Sequence, residues 1–322
     1  MLAVPADWPP TLLVVVDTEE EFDWRAPPNP ACRAVTNVLE APMLQAVFDR
    51  YGVRPAYLID HPVADNLAAA STLRRIADDG RCEVGAHLHP WVTPPVEEQV
   101  DTWHAYACNL PPELERRKLE TLTAAIAANF DPPRIFKAGA YGIGAQTPRF
   151  LADLGYKVDS SIVPFTTFAD AGGPDFQDWD GTPFKAAEGI VEIPLSTGFA
   201  GRFAPHGRRL FPMIGRPLPR LLHLPGIAAR LGMLERLRLT PEGHTFPEMA
   251  RLTRAALARG ERLFMLTMHS SSMLPGATDY VRSIAERAEF LLRIGEYLRF
   301  FHETLNGASR LVSEAATALD TP

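Results

Sequence analysis

Short apolar runs and longer amphipathic stretches alternate along the chain from about residue 11 to residue 303. Thr11–Val16 is a β-branched apolar run with almost no polar interruption, the pattern of a strand buried on both faces. Val38–Tyr51 has helical spacing, with Leu39, Met43, Val47 and Tyr51 on one face and Gly52 after it. The alternation predicts further strands at Pro55–Ile59, Glu83–His87, Ile135–Lys137, Lys157–Ser160, Ile190–Pro194 and Leu263–Met268. Helices are predicted at Leu67–Asp79, Glu113–Asn129, Pro148–Leu154, Phe246–Arg259 and Tyr280–Glu303. Such repetition argues for a parallel sheet of about seven strands with helices outside. No G-x-G-x-x-G follows the first strand, so a dinucleotide crevice loses support and a closed or nearly closed (β/α) barrel is the better expectation.

One stretch, residues 163–244, breaks the rhythm with its prolines and glycines and is read as an irregular insertion in a single barrel domain spanning 1–322. Inside it, residues 202–239 intersperse Arg202, Arg208, Arg209, Arg216, Arg220, Arg230, Arg236 and Arg238 with Leu, Ile, Phe and Met. Two readings stay open: arginines facing water on an elaborated insertion, or a basic amphipathic surface that meets anionic lipid or a lipid-linked phosphosugar. Pro212, Pro217, Pro219 and Pro225 argue against one continuous membrane helix there.

The 322 residues are 46% hydrophobic and 22% charged, and the net charge is −7. With no basic block, a nucleic-acid partner is not expected. Three cysteines, Cys32, Cys82 and Cys108, form no C-x-x-C pair, which fits a reducing compartment. The run Leu12–Val16 has no basic segment before it and is shorter than the roughly 7–15 residues of a secretory core. A soluble, cytoplasmic protein is expected, in peripheral contact with the inner membrane face if the 202–239 surface binds lipid.

The chemistry gathers at predicted strand ends. Val16-Asp17-Thr18-Glu19-Glu20-Glu21-Phe22-Asp23-Trp24 runs from strand into five carboxylates, and period two lets Asp17 and Glu19 converge. An acidic, solvated loop is the alternative. Glu83-Val84-Gly85-Ala86-His87-Leu88-His89-Pro90-Trp91 ends a second strand in H-x-H. Imidazoles with a carboxylate suit zinc, and also cobalt, nickel or manganese. Leu266-Thr267-Met268-His269 ends a late strand in a candidate general acid, or in a histidine satisfied by a backbone carbonyl. Phe136-Lys137-Ala138-Gly139-Ala140-Tyr141-Gly142 ends another in a cation, which either pairs with a catalytic carboxylate or stands solvated.

In this order the four motifs resemble the polysaccharide deacetylase family of NodB homology, over about residues 11–300. The variant looks like a branch associated with surface-polysaccharide and lipopolysaccharide biosynthesis. The resemblance implies a deformed (β/α) barrel and metal-assisted removal of an acyl group from an N-acylated sugar. It implies Asp17 as catalytic base, Glu19 and His87 as ligands of one divalent metal, and His269 as general acid. An acidic residue of the segment 175–180, of which Asp178 is taken here, is expected to tune His269 or meet substrate. Trp24, Trp91 and Tyr141 are the other candidate substrate contacts.

Three departures from the family pattern stand out. The position matching the second metal histidine is Trp91, so His89 must serve; Lys137 replaces an arginine and its planar fork; Glu19 stands where aspartate is frequent. The expected substrate is a sugar, or a nucleotide- or lipid-linked glycan precursor. The departures keep two alternatives open: a catalytically silent carbohydrate-binding barrel, and a metal-dependent amidohydrolase acting on a non-sugar amide.

Overall fold

The structure is a computed structural model that describes residues 1–214 and 223–320. Its strands are β1 (Thr11–Thr18), β2 (Ala56–Ile59), β3 (Glu83–Leu88), β4 (Ile135–Ala138), β5 (Val158–Asp159), β6 (Phe184–Ala187), β7 (Ile190–Glu192), β8 (Thr197–Ala200), β9 (Glu235–Arg238), β10 (Leu263–His269) and β11 (Ala308–Ser309). The main sheet runs β10-β1-β2-β3-β4-β5-β7-β6, with β11 beside the start of β1. The strands from β10 to β7 are all parallel, and only β6 runs antiparallel. That is the curled parallel sheet with outer helices that the alternation predicts.

Alternation within each strand splits the core in two. Leu12, Val14 and Val16 of β1 face outward with Phe136 of β4 and Leu266 and Met268 of β10, against helix residues such as Leu44, Phe48, Leu119 and Phe290. Leu13 and Val15 face inward with Leu58, Ile135, Val158, Ile193 and Met265. The chain therefore needs apolar residues at nearly every strand position, as the Thr11–Val16 run shows. Gly85 is fitted to this interior, because a Cβ there would lie 2.5 Å from Leu58 Cδ2 and 2.7 Å from the Ile135 carbonyl oxygen.

No ladder among the described residues joins β7 to β10. The gap is bridged instead by single bonds: Met265 N donates to Ser196 Oγ at 2.8 Å, and Thr267 N to the Leu239 carbonyl at 3.1 Å. These come from the two-stranded antiparallel sheet β8–β9 and its flanks. The stretch 163–244 is thus more regular than its composition suggests: it holds β6 to β9 and the helices Gly207–Ile214 and Leu224–Arg230, and β7 belongs to the main sheet. Arg216, Arg220, Pro217 and Pro219 lie outside the described residues.

Several boundaries move for identifiable reasons. The Val38–Tyr51 expectation divides into a short 3-10 turn, Thr36–Glu40, and the helix Ala41–Asp49, whose first turn holds Pro42. The phase restarts there, so Leu39 and Met43 are exposed, while Val38, Leu44, Val47 and Phe48 are buried. Ser283 caps the last long helix, which begins at Ile284 rather than Tyr280. A final helix, Val312–Asp320, was not legible. Its Val312, Ala315 and Leu319 join the inner core, and Glu83 of β3 accepts from the Val312 N–H at 2.6 Å. No described helix is long and apolar enough to cross a membrane.

Candidate active site at the C-terminal edge of the sheet

Parallel register places the strand-end residues side by side. Asp17 pairs in register with His269 of β10, and His87 with Lys137 of β4. All four occupy the inward alternation of their strands, directly above the inner core, and Asp17, His87 and Lys137 are buried.

Glu19 follows β1. Its Oε2 lies 3.4 Å from His87 Nε2 and 3.4 Å from His89 Nε2, and all three side chains are almost fully buried. The outer ring atoms are held as well. His87 Nδ1 donates to the Lys137 carbonyl oxygen at 3.1 Å, and His89 Nδ1 to Glu20 Oε2 at 2.7 Å. Those bonds fix the tautomers that leave both Nε2 lone pairs facing Glu19. Burial pushes both imidazoles down to about 4, so they are neutral at pH 7, the form that ligates a metal. Burial also pushes Glu19 up to about 7, and its Oε1 is buried without a hydrogen-bond partner among the described residues. A buried carboxylate beside two neutral imidazoles is a donor set that could hold a divalent metal ion.

The compressed H-x-H spacing is compatible with this convergence because β3 ends at Leu88 and His89 stays extended. Pro90–Val92 then turns as a 3-10 helix, which removes Trp91 from the alternation. Trp91 is buried, stacks on the His89 ring at 4.2 Å and donates from Nε1 to Glu20 Oε1 at 2.7 Å. It backs His89 rather than lining the cleft. Gly139 makes room for the arrangement, since a Cβ there would strike the His89 ring and sit 2.5 Å from the Leu88 carbonyl oxygen.

Lys137 Nζ donates to Asp17 Oδ2 in a buried ion pair. Burial alone would raise the Asp17 pKa, but Lys137, then His87 and His269, outweigh it and hold the carboxyl at about 2. On the other side His269 Nε2 lies 3.5 Å from Asp17 Oδ2. Its Nδ1 donates to Glu242 Oε2 at 2.7 Å, and its backbone N–H to Glu242 Oε1 at 2.9 Å. Burial would lower this imidazole, yet Glu242, with Glu19 and Asp17, raises it to about 10. The metal-type histidines and His269 are thus driven in opposite directions by their surroundings, the separation expected of different chemical tasks.

Beside His269 opens a cleft of about 370 Å³ whose walls include Trp24, Tyr141, Arg236, Arg238, Glu242 and Tyr280. The Trp24 ring meets the His269 ring edge-on at 4.7 Å. Tyr141 and Ala140 sit at φ of 61° and 48°, an uncommon conformation for side-chain-bearing residues that turns the chain sharply after β4. Of the expected contacts, Trp24 and Tyr141 reach this cleft, whereas Trp91 and Asp178 do not. Asp178 is exposed and pairs with Arg208 at 3.3 Å, and the carboxylate that holds His269 is Glu242, outside the 175–180 segment.

Sequence reasoning passed over Glu20, Asp60 and Glu242. Asp60 directly follows β2, accepts from the Glu20 N–H at 2.7 Å and caps the next helix turn through the Val63 N–H. Its signal, a carboxylate after an apolar strand, was the one that revealed Asp17. Glu20, Asp60 and His89 form a second buried group with metal-type spacing, but the short His89–Glu20 bond uses it to orient the His89 ring.

The fold and the site together define a parallel half-barrel with a histidine–carboxylate cluster at its C-terminal edge. No family model and no curated protein sequence matches the chain. Among solved structures, a Mycobacterium smegmatis protein assigned as a polysaccharide deacetylase superposes with a TM-score of 0.58 at 17% identity, over 99% of this chain and 93% of that one. The 4-alpha-glucanotransferase of Thermococcus litoralis superposes with a TM-score of 0.53 at 10% identity, over 96% of this chain but only 40% of that enzyme. The architecture is therefore the deformed (β/α) barrel of the polysaccharide deacetylase type, as the motif order implied. Two neighbours with different chemistries leave function to be argued from the site.

Replacing Glu242 by Gln removes the main charge that raises His269. In metal-stripped protein, histidine NMR titration is expected to find the His269 pKa moved down from about 10 toward its ordinary value. An unchanged titration would show that Glu242 is not its partner.

Proposed function

We propose that this protein is a metal-dependent deacetylase that hydrolyses an N-acyl group, an acetyl group in the first instance, from a sugar. The observation that carries this reading is the convergence of Glu19, His87 and His89 next to two oppositely tuned proton-transfer groups, Asp17 and His269. One divalent ion, zinc before cobalt, nickel or manganese, suits the mixed nitrogen and oxygen donors. What such an ion supplies when bound is Lewis acidity toward the acyl oxygen and the attacking water.

The chain's own residues do the remaining work. Asp17 is ionised at pH 7 and takes a proton from water as the water oxygen bonds to the acyl carbon. Lys137 keeps Asp17 ionised and fixed in direction. The Tyr141 backbone N–H is the candidate donor to the oxyanion. His269, kept protonated by Glu242, gives its proton to the sugar nitrogen as the carbon–nitrogen bond breaks, releasing carboxylate and amine. Trp24 and Tyr141 provide apolar faces for the sugar ring in the cleft.

The finer reading is a nucleotide- or lipid-linked glycan precursor in surface-polysaccharide biosynthesis, handled in the cytoplasm. What supports it is the surface of residues 202–239. Arg202, Arg209 and Arg230 are exposed there, beside exposed Met213, Leu224, Ile227 and Leu231. Arginine with apolar side chains at one surface suits an anionic membrane.

Asp17→Asn is expected to keep the fold and lose about 10²–10⁴-fold in kcat on N-acetylated sugars, the usual contribution of a proton-transfer group. Full activity in that variant, or turnover of simple amides but no acetylated sugar by the unmodified protein, would reject the reading. Flotation with liposomes tests the surface: binding to anionic but not neutral vesicles is expected, and equal recovery from both would discard the membrane contact.

A further inference from the structure

The cleft beside His269 is cationic on the side away from the histidine–carboxylate cluster. Arg236 and Arg238 stand two apart on β9 and project to the same face, while Leu237 between them and Glu235 before them are buried on the opposite face. Both arginines are half-buried. Arg236 Nη1 donates to the Phe165 carbonyl at 2.5 Å, and Arg238 Nη1 to Tyr141 Oη at 2.9 Å. Neither has a carboxylate partner among the described residues: Glu235 is held by Arg251 and Glu242 by His269. Burial, and then Arg238, push the Arg236 pKa down, as expected for two cations sharing a cleft without a counter-ion. The hydroxyl of Thr197, on the same wall, is buried with no hydrogen-bond partner among the described residues. In a chain of net charge −7, such a pair is a local exception.

We infer that Arg236 and Arg238 form an anion subsite that binds a phosphate or diphosphate carried by the substrate, next to the sugar whose N-acyl group is removed. Two guanidinium groups, each with Nε and Nη2 free of acceptors among the described residues, match a group with at least two charges and several acceptor oxygens better than a single carboxylate. The far side of Arg236 opens on a second groove of about 640 Å³, walled by Phe165, Phe211 and Pro225. That groove leads to the exposed helix Leu224–Arg230, so the phosphate's other substituent leaves toward an apolar surface. The inference rests on the deacetylase reading for the position of the sugar, and not for the anion itself.

The test is calorimetric binding to the full-length, metal-loaded protein, with geranyl diphosphate and uridine diphosphate as probes and glucuronate as the monoanionic control. At least one diphosphate is expected to bind, and Arg236→Gln and Arg238→Gln are each expected to weaken it about tenfold or more. Arg236→Lys and Arg238→Lys keep the charge, guard against loss of folding in the glutamine variants, and are expected to recover part of the affinity. Tighter binding of the geranyl compound assigns the phosphate to a lipid carrier, and of the uridine compound to a nucleotide. The subsite is overturned if neither diphosphate binds at about millimolar concentration, if all variants bind as the unmodified protein does, or if glucuronate binds as tightly. Sugar deacetylation with arginine-independent diphosphate binding sinks the subsite alone. Arginine-dependent binding in a protein that deacetylates nothing sinks the deacetylase reading alone.

Discussion

Seven parallel strands in register bring segments far apart in sequence to one edge, and the two-residue alternation decides which side chains look inward there. Asp17, His87, Lys137 and His269 share that inward, C-terminal position on four strands, so their convergence follows from topology before any side-chain contact is considered. Apolar inward residues lower on the same strands, such as Val15, Ile135 and Met265, are buried beneath the site. A dry floor is what makes the charges above it strong.

Electrostatics then sorts these groups into roles. Asp17 has a full partner in Lys137 and stays ionised, and His269 has one in Glu242 and stays protonated. Glu19 Oε2 faces the neutral imidazoles of His87 and His89, and Oε1 has no hydrogen-bond partner among the described residues; burial, only partly offset by His269, raises it to about 7. Glu20, raised to about 7 by burial as well, turns outward to hold His89 and Trp91. Partner placement thus yields two charged groups held in ion pairs and one carboxylate raised by burial beside neutral imidazoles.

Much of this was legible because strand ends obey a simple geometric rule. An apolar run ending in Asp17, in His87, in Lys137 or in His269 states both where the residue lies and which way it points. The rule failed where the strand did. Trp91 continues the spacing of His87 and His89, but the turn at Pro90 rotates it behind the ligand. Glu242 belongs to no strand and reaches His269 only through the tertiary path of the 163–244 stretch, so no local pattern announces it. The alternation Glu235-Arg236-Leu237-Arg238 was present in the sequence, but which of the eight arginines of 202–239 face a cleft rather than the outer surface is settled only by the position of β9 against it.

The most direct test of the central claim is elemental mass spectrometry of protein purified without chelators, run beside a His87→Ala, His89→Ala double variant. The account predicts about one divalent first-row ion per chain in the unmodified protein, and loss of that ion in a variant that remains folded. No ion after metal is added back, or equal metal content in the two proteins, would contradict a centre built from Glu19, His87 and His89.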